Sequence, residues 1–110
     1  MISVIVSYTV RPDFAEENKK NINIFLDDLK NINSTEFQYN VYLKEDGVTF
    51  MHQSTYLNDN IQTVVLNVPS FRKFQRIRDE NGGLNGSHKV EVLRLIGTSH
   101  ELLNQDFSNL

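Results

Sequence analysis

Phe37 to Tyr56 reads FQYNVYLKEDGVTFMHQSTY, and the Asp46-Gly47 pair near its centre is the strongest short-range hairpin signal a sequence offers. A two-residue turn there pairs Glu45 with Val48 and sets the register of both strands. Leu43 then faces Phe50, Val41 faces His52, Tyr39 faces Ser54 and Phe37 faces Tyr56. All eight share one side of the sheet, because cross-strand partners point the same way. That side is apolar except for two tyrosines, a serine and one imidazole. The opposite side carries Gln38, Asn40, Tyr42 and Lys44 with Thr49, Met51, Gln53 and Thr55.

Upstream, Ile2, Val4, Val6, Tyr8 and Val10 alternate with Ser3, Ile5, Ser7 and Thr9, the period of a strand. Its second side is small and uncharged, which suits a central position in a sheet. Pro12-Asp13 closes the strand, and Asp13 with Glu16 has capping-box spacing. Ala15, Asn18, Ile22, Phe25, Leu29 and Ile32 then recur at helical spacing, with Leu26 beside them. Glu17, Lys19, Lys20, Asp27 and Lys30 take the outer face of this helix.

Beyond the hairpin, Leu57-Asn58-Asp59-Asn60 predicts the cap of a second helical stretch, with Ile61, Val64, Val65 and Val68 as its stripe. Pro69 interrupts it, and a further helix is expected from Ser70. Phe71, Phe74 and Ile77 line one side of that helix, and Arg72, Lys73, Arg76 and Arg78 the other. Asn81-Gly82-Gly83 and Asn85-Gly86 mark a loop. Lys89 to Gly97 reads as the last strand. In the tail SHELLNQDFSNL, Ser99 is placed to cap one or two helical turns.

The order strand, helix, strand, strand, helix, strand is the βαββαβ pattern of a ferredoxin-like α+β domain, with an antiparallel sheet and helices on one side. Residues 1–110 form one such domain with a short tail from residue 98. Its bare side holds Ile5, Tyr42 and Met51, which is too apolar to leave in water. A second copy of the chain is the expected cover, making a homodimer.

Composition narrows the function. Of 110 residues, 39% are hydrophobic and 23% charged, an ordinary globular balance. A net charge of -3 argues against nucleic acid as a partner. The absence of cysteine excludes a disulfide framework, a thiol nucleophile and a thiolate metal site. MISVIVSYTVRPD lacks the basic and long apolar regions of a signal peptide, and no run of 18 apolar residues offers a membrane span. A cytoplasmic protein with no membrane partner is the expectation.

From Ile2 to about Gly97 the chain resembles the antibiotic biosynthesis monooxygenase-type domains of the dimeric α+β barrel superfamily. The resemblance is carried by Tyr56 ending the third strand and by LNVPSFRKF (Leu66 to Phe74) following at the family's interval. The family typically places a tryptophan, then a leucine, a proline and an aromatic or aliphatic residue at those positions. The resemblance implies two ferredoxin-like subunits whose sheets close into a barrel, each with a pocket between sheet and helices. It also implies oxygenation of electron-rich phenols or quinols without metal or flavin. A haem-degrading branch relies on an asparagine on the first strand, a tryptophan ending the third and a histidine on the second helix. Here the tryptophan position is Tyr56, and no histidine lies between His52 and His88. Histidines that quinol-oxidising relatives often carry are replaced by Val65 and Ser70.

His52 is the one histidine that the register sets on the pocket side, and its chemistry suits a base removing a phenolic or acidic C–H proton. It equally suits a core imidazole hydrogen-bonded to Tyr39, Ser54 or Tyr56. Tyr8, Tyr39 and Tyr56 are candidate donors to a bound hydroxyl or carbonyl, with Ser54, Phe71 and Phe74 completing the substrate-binding set. Ser54 has no acid–base partner that would make it a nucleophile. The Arg72 to Arg78 cluster either steers an anion or is a solvated helix face. His88 and His100 have no further ligand at metal spacing, so no metal is expected. NGGLNG from Asn81 opens onto a strand rather than a helix, so no flavin phosphate cradle is expected either, and the cofactor expectation is none. Three roles stay open: a cofactor-free monooxygenase of a small aromatic ligand, a non-catalytic small-molecule binder, and a structural dimeric barrel.

Overall fold

The hairpin closes in the register read from its sequence. β2 (Phe37–Leu43) and β3 (Thr49–Tyr56) are antiparallel, with Leu43 opposite Phe50, Val41 opposite His52, Tyr39 opposite Ser54 and Phe37 opposite Tyr56. The computed structural model of the chain describes residues 1–84, 86–101 and 103. The turn is wider than the expected two-residue one. The ladder ends with the Lys44 N–H donating to the Thr49 carbonyl at 2.8 Å, and the Gly47 N–H bonds back to the Lys44 carbonyl at 3.0 Å. Gly47 has φ 76°, a left-handed conformation that costs glycine nothing. Asp46 causes the difference. Its carboxylate accepts from the Thr49 hydroxyl at 2.6 Å and from the Val48 and Thr49 N–H groups at 2.9 and 2.8 Å. The Thr49 hydroxyl, then the two N–H groups, hold this carboxyl below the usual carboxylate range. Those N–H groups go to the side chain, so Glu45 and Val48 do not pair.

β1 (Ile2–Thr9) lies between β3 and β4 (Lys89–Leu93), antiparallel to both, and the sheet order is β2-β3-β1-β4. Its central place fits its uncharged second side. Three helices, α1 (Ala15–Asn31), α2 (Asp59–Leu66) and α3 (Pro69–Ile77), cover one side of the sheet. Their apolar stripes, including Ile22, Phe25, Leu29, Ile61, Val65, Phe71 and Phe74, close over Tyr8, Phe50 and Tyr56 as one core. This is the ferredoxin-like α+β architecture. Among the described residues no helix is long and apolar enough to cross a membrane.

Several boundaries depart from the sequence reading. The capping box at α1 does not form, because Asp13 bonds to Arg11 at 3.3 Å and Glu16 to Lys19 at 2.8 Å. Pro12–Phe14 makes a 3-10 turn instead, and Phe14 starts α1 with no side-chain cap. Asn58 does cap α2, accepting from the Ile61 N–H at 3.1 Å. α3 starts at Pro69 itself, where the missing N–H has no consequence. β4 stops at Leu93, and residues 94–98 run unpaired beside Ser3, Gln53 and Thr55. Ser99 bonds to the ring of its neighbour His100 at 2.9 Å and caps no helix among the described residues. The rest of the tail reading, at residues 102 and 104–110, lies outside them.

Two sheet surfaces stay open. On the side away from the helices, Ile5 and Met51 are half-buried and Tyr42 is 53% exposed, but hydroxyl pairs Ser3–Thr55 (3.2 Å) and Thr9–Thr49 (2.9 Å) sit among them. Lys89 and Glu91 share that side through their pairing with Ser7 and Ile5, so it is more mixed than expected. On the helix side, Val90 and Val92 pair with Val6 and Val4 yet are exposed. The helices therefore cover β2, β3 and β1 and leave β4 bare.

Candidate functional site

His52 sits at the centre of the covered side, 3% exposed, with both ring nitrogens engaged. The Tyr8 hydroxyl lies 2.8 Å from Nε2, and the Tyr39 hydroxyl 2.8 Å from Nδ1. β1 and β2 flank β3, so the register delivers one tyrosine from each side. Asn18, buried on α1, donates from Nδ2 to the Tyr8 oxygen at 3.0 Å. A neutral imidazole has one N–H, so the network that uses each group once runs in one direction. Asn18 donates to Tyr8, Tyr8 donates to Nε2, and Nδ1–H donates to Tyr39. The Asn18 Oδ1 is buried without a partner among the described residues.

An aromatic shell surrounds the imidazole. Phe25 stacks on it at 6.1 Å between centroids, Phe74 tilts over it at 5.5 Å, and Phe71 meets Tyr39 edge-on at 5.8 Å. Burial drives the His52 pKa down to about 3, with the charges of Arg78 and His88 adding to the effect. Burial also pushes the hydroxyls of Tyr8 and Tyr39 well above the ordinary phenol range, against the hydrogen bond from Asn18 in the case of Tyr8. All three groups are thus neutral at pH 7. Ser54 and Tyr56 are buried further along the same side and make no hydrogen bond to His52. Burial raises the Tyr56 hydroxyl too, with Ser54 opposing.

The depressed His52 pKa has a stability consequence. The folded chain keeps the ring neutral while the unfolded chain protonates it near pH 6.5, so this contribution is complete above that pH and is lost as pH falls toward 3. Urea unfolding at pH 5 instead of pH 7 should show a loss of about 2 kcal/mol from this group, at about 1.4 kcal/mol per unit below 6.5. His52→Gln should flatten that part of the curve; parallel curves would contradict the assignment.

The network connects two clefts at opposite ends. Tyr39 forms part of an apolar cleft of about 390 Å³ between the end of α1 and the start of β2, with Leu26, Leu29 and Phe37 in its wall and Lys30 at its rim. Tyr8 forms part of a polar cleft of about 230 Å³ with Arg78, Asp79, Ser87 and His88. His52 lies in the wall of neither. The structure thus brings Tyr8, Tyr39, His52, Phe71 and Phe74 together and sets Ser54 and Tyr56 apart.

Three participants escaped the sequence reading. Asn18 was legible only as a polar member of the α1 stripe. Arg78 was placed on the outer face of α3, but it is buried, with its guanidinium 4.9 Å from the Tyr8 ring centroid and 5.5 Å from that of Phe74. Its spacing from Phe71 and Phe74 repeats the buried face, which was the available signal. His88 joins because the β1–β4 register, continued beyond Ser7–Lys89, brings it beside Tyr8. Among the described residues no three His, Cys, Asp or Glu side chains gather as a metal site requires.

No family profile and no curated protein matches the chain. Solved structures do. A candidate antibiotic biosynthesis monooxygenase from Bacteroides thetaiotaomicron superposes with TM-score 0.77 at 7% identity, over 92% of this chain and 94% of that one. A second from Nitrosomonas europaea gives 0.73 at 12% identity, over 88% and 100%. A protein from Pseudomonas aeruginosa gives 0.70 at 17%, over 87% and 94%. The chain has the fold of the antibiotic biosynthesis monooxygenase-like proteins.

Proposed function

We propose that the chain is a cofactor-independent oxygenase-type enzyme for a small phenolic or quinol-type ligand bound in the cleft over Tyr8. The observation that carries this reading is the Asn18–Tyr8–His52–Tyr39 hydrogen-bond chain, which links a cleft wall to a buried neutral base. His52 lies in the wall of neither cleft, so Tyr8 is the group that meets the ligand and His52 acts through it. The ligand's acidic proton moves to the Tyr8 oxygen as the Tyr8 proton moves to Nε2. A ring poised near pKa 3 is a poor base alone, but the anion formed in the cleft favours the imidazolium. That electron-rich anion reduces oxygen. For a methylene between two aromatic rings, one oxygen atom stays as a carbonyl and the other leaves as water with the two displaced hydrogens.

A cleft of about 230 Å³ is below the usual drug-sized range, which fits one end of a fused aromatic ligand whose remaining rings extend over the bare valines of β4. The test is oxygen uptake with anthrone, using protein dialysed against a strong chelator and given no flavin. One oxygen consumed per anthrone, above the buffer rate, is expected. Uptake at the buffer rate would sink the reading.

A non-catalytic binding or structural role has one observation of its own: both nitrogens of His52 are already satisfied inside the core. Binding without turnover would favour it. We also infer a homodimer through the bare sheet side, where exposed Tyr42 and Leu93 join Ile5 and Met51, and Ile96 is 93% exposed. Sedimentation equilibrium at low micromolar concentration should give twice the chain mass; the mass of a single chain would contradict it.

A further inference from the structure

We propose that the Tyr8 cleft selects a ligand bearing a carboxylate beside its ring hydroxyl, and that Arg78 is the residue that holds it. The inference rests on the cleft being the ligand site, as argued above. Arg72, Lys73 and Arg76 are exposed, as a solvated helix face would be, whereas Arg78 is 6% exposed. Its charge lies over two aromatic rings, and its Nε and Nη2 both bond to one oxygen of Asp79, at 3.0 and 2.9 Å.

That pair is lopsided. The Arg78 side chain is 7% exposed and that of Asp79 64%, so a desolvated cation faces a carboxylate screened by water. A guanidinium has five N–H donors, and two go to Asp79, which leaves donors for a second anion. Its planar fork matches a carboxylate in two-point contact.

The position is also firmly set. Arg78 opens a π-helical turn, Arg78–Gly82, a geometry that recurs at functional sites. The Gly83 N–H closes the turn on the Arg78 carbonyl at 2.8 Å, and a Cβ at Gly83 would lie only 3.3 Å from that oxygen. The rim is tied to β1, because the Leu84 N–H donates to the Thr9 carbonyl at 3.0 Å and Ser87 bonds to the Thr9 backbone at 3.2 Å. Among the described residues Asp79 is the only acid in the cleft wall, and its exposure lets it turn into solvent when a ligand carboxylate arrives.

The test compares binding of 1-hydroxy-2-naphthoate and 1-naphthol, which differ by the carboxylate alone, read from their own fluorescence. The wild-type chain should bind the carboxylate at least about tenfold more tightly, as charge-assisted bonds to a buried cation imply. Arg78→Gln should erase that preference, so that the two ligands bind with equal affinity. Asp79→Asn, on the surface, should strengthen the preference by removing the competing anion, and it serves even if Arg78→Gln fails to fold. Equal wild-type affinities, a preference that survives Arg78→Gln, or a weaker preference in Asp79→Asn would each overturn the proposal. The readout is binding, so absent oxygen uptake would defeat only the enzymatic reading. Naphthol binding without preference would defeat only the carboxylate. Failure of both probes to bind would defeat the cleft as the ligand site and this proposal with it.

Discussion

Phe25→Ala should destabilise the fold by about 3–5 kcal/mol, the usual cost of deleting a fully buried phenyl ring. Phe25 is 0% exposed and sits where α1, α3 and the sheet converge. Its ring centroid is 4.9 Å from Phe74, 5.0 Å from Phe71, 5.5 Å from Tyr39 and 6.1 Å from His52. Four aromatic neighbours pinned by their own hydrogen bonds or helices cannot collapse into the gap, so the cavity penalty adds to the lost burial. A domain of this size holds about 5–15 kcal/mol in total, so the variant should sit near the edge of folding. Urea unfolding measures the loss directly. A cost near 1 kcal/mol would mean that the core relaxes freely and that the aromatic shell does not fix the imidazole.

The parts of this structure that were legible beforehand are those written in alternation. The hairpin residues alternate apolar and polar so regularly that any one-residue slip would bury Gln38, Asn40 and Gln53, so the pairing of Val41 with His52 followed. The turn was misjudged because Asp46 uses its side chain to take up backbone donors, which the dipeptide alone does not reveal. The network was half visible. Tyr39 was within reach of His52 by register, but Tyr8 joins from a strand whose neighbour in the sheet is decided by the topology. Asn18 is visible as an amide within an apolar stripe, and its hydroxyl partner is not. Arg78 went astray because charge was taken as a sign of the outer face. A long side chain at the end of a helix can instead lay its cation over rings on the inner one. The last strand was read too long, because Leu95 and Ile96 continue its apolar character beyond the end of its pairing at Leu93.

Tyr8→Phe should lower kcat/KM for oxygen uptake by about 10²–10⁴-fold, the typical contribution of positioned proton transfer. The substitution removes one hydroxyl and keeps the ring that stacks on Phe50 at 5.7 Å and carries Arg78. It strands the Asn18 Nδ2 and the His52 Nε2, at a cost of about 1–3 kcal/mol for each, within the stability a domain of this size holds. His52→Gln, which keeps a polar group of similar size, should lose turnover to a similar extent and retain ligand binding. A merely structural role for the network would lower stability in both variants while leaving turnover per folded molecule unchanged. The most direct measurement is therefore anthrone-dependent oxygen uptake by Tyr8→Phe beside the wild-type chain, at equal concentrations of folded protein and with naphthol affinity measured on the same samples. Naphthol binding within a few-fold of wild type with turnover lost is the predicted result, and wild-type turnover in Tyr8→Phe would contradict the relay.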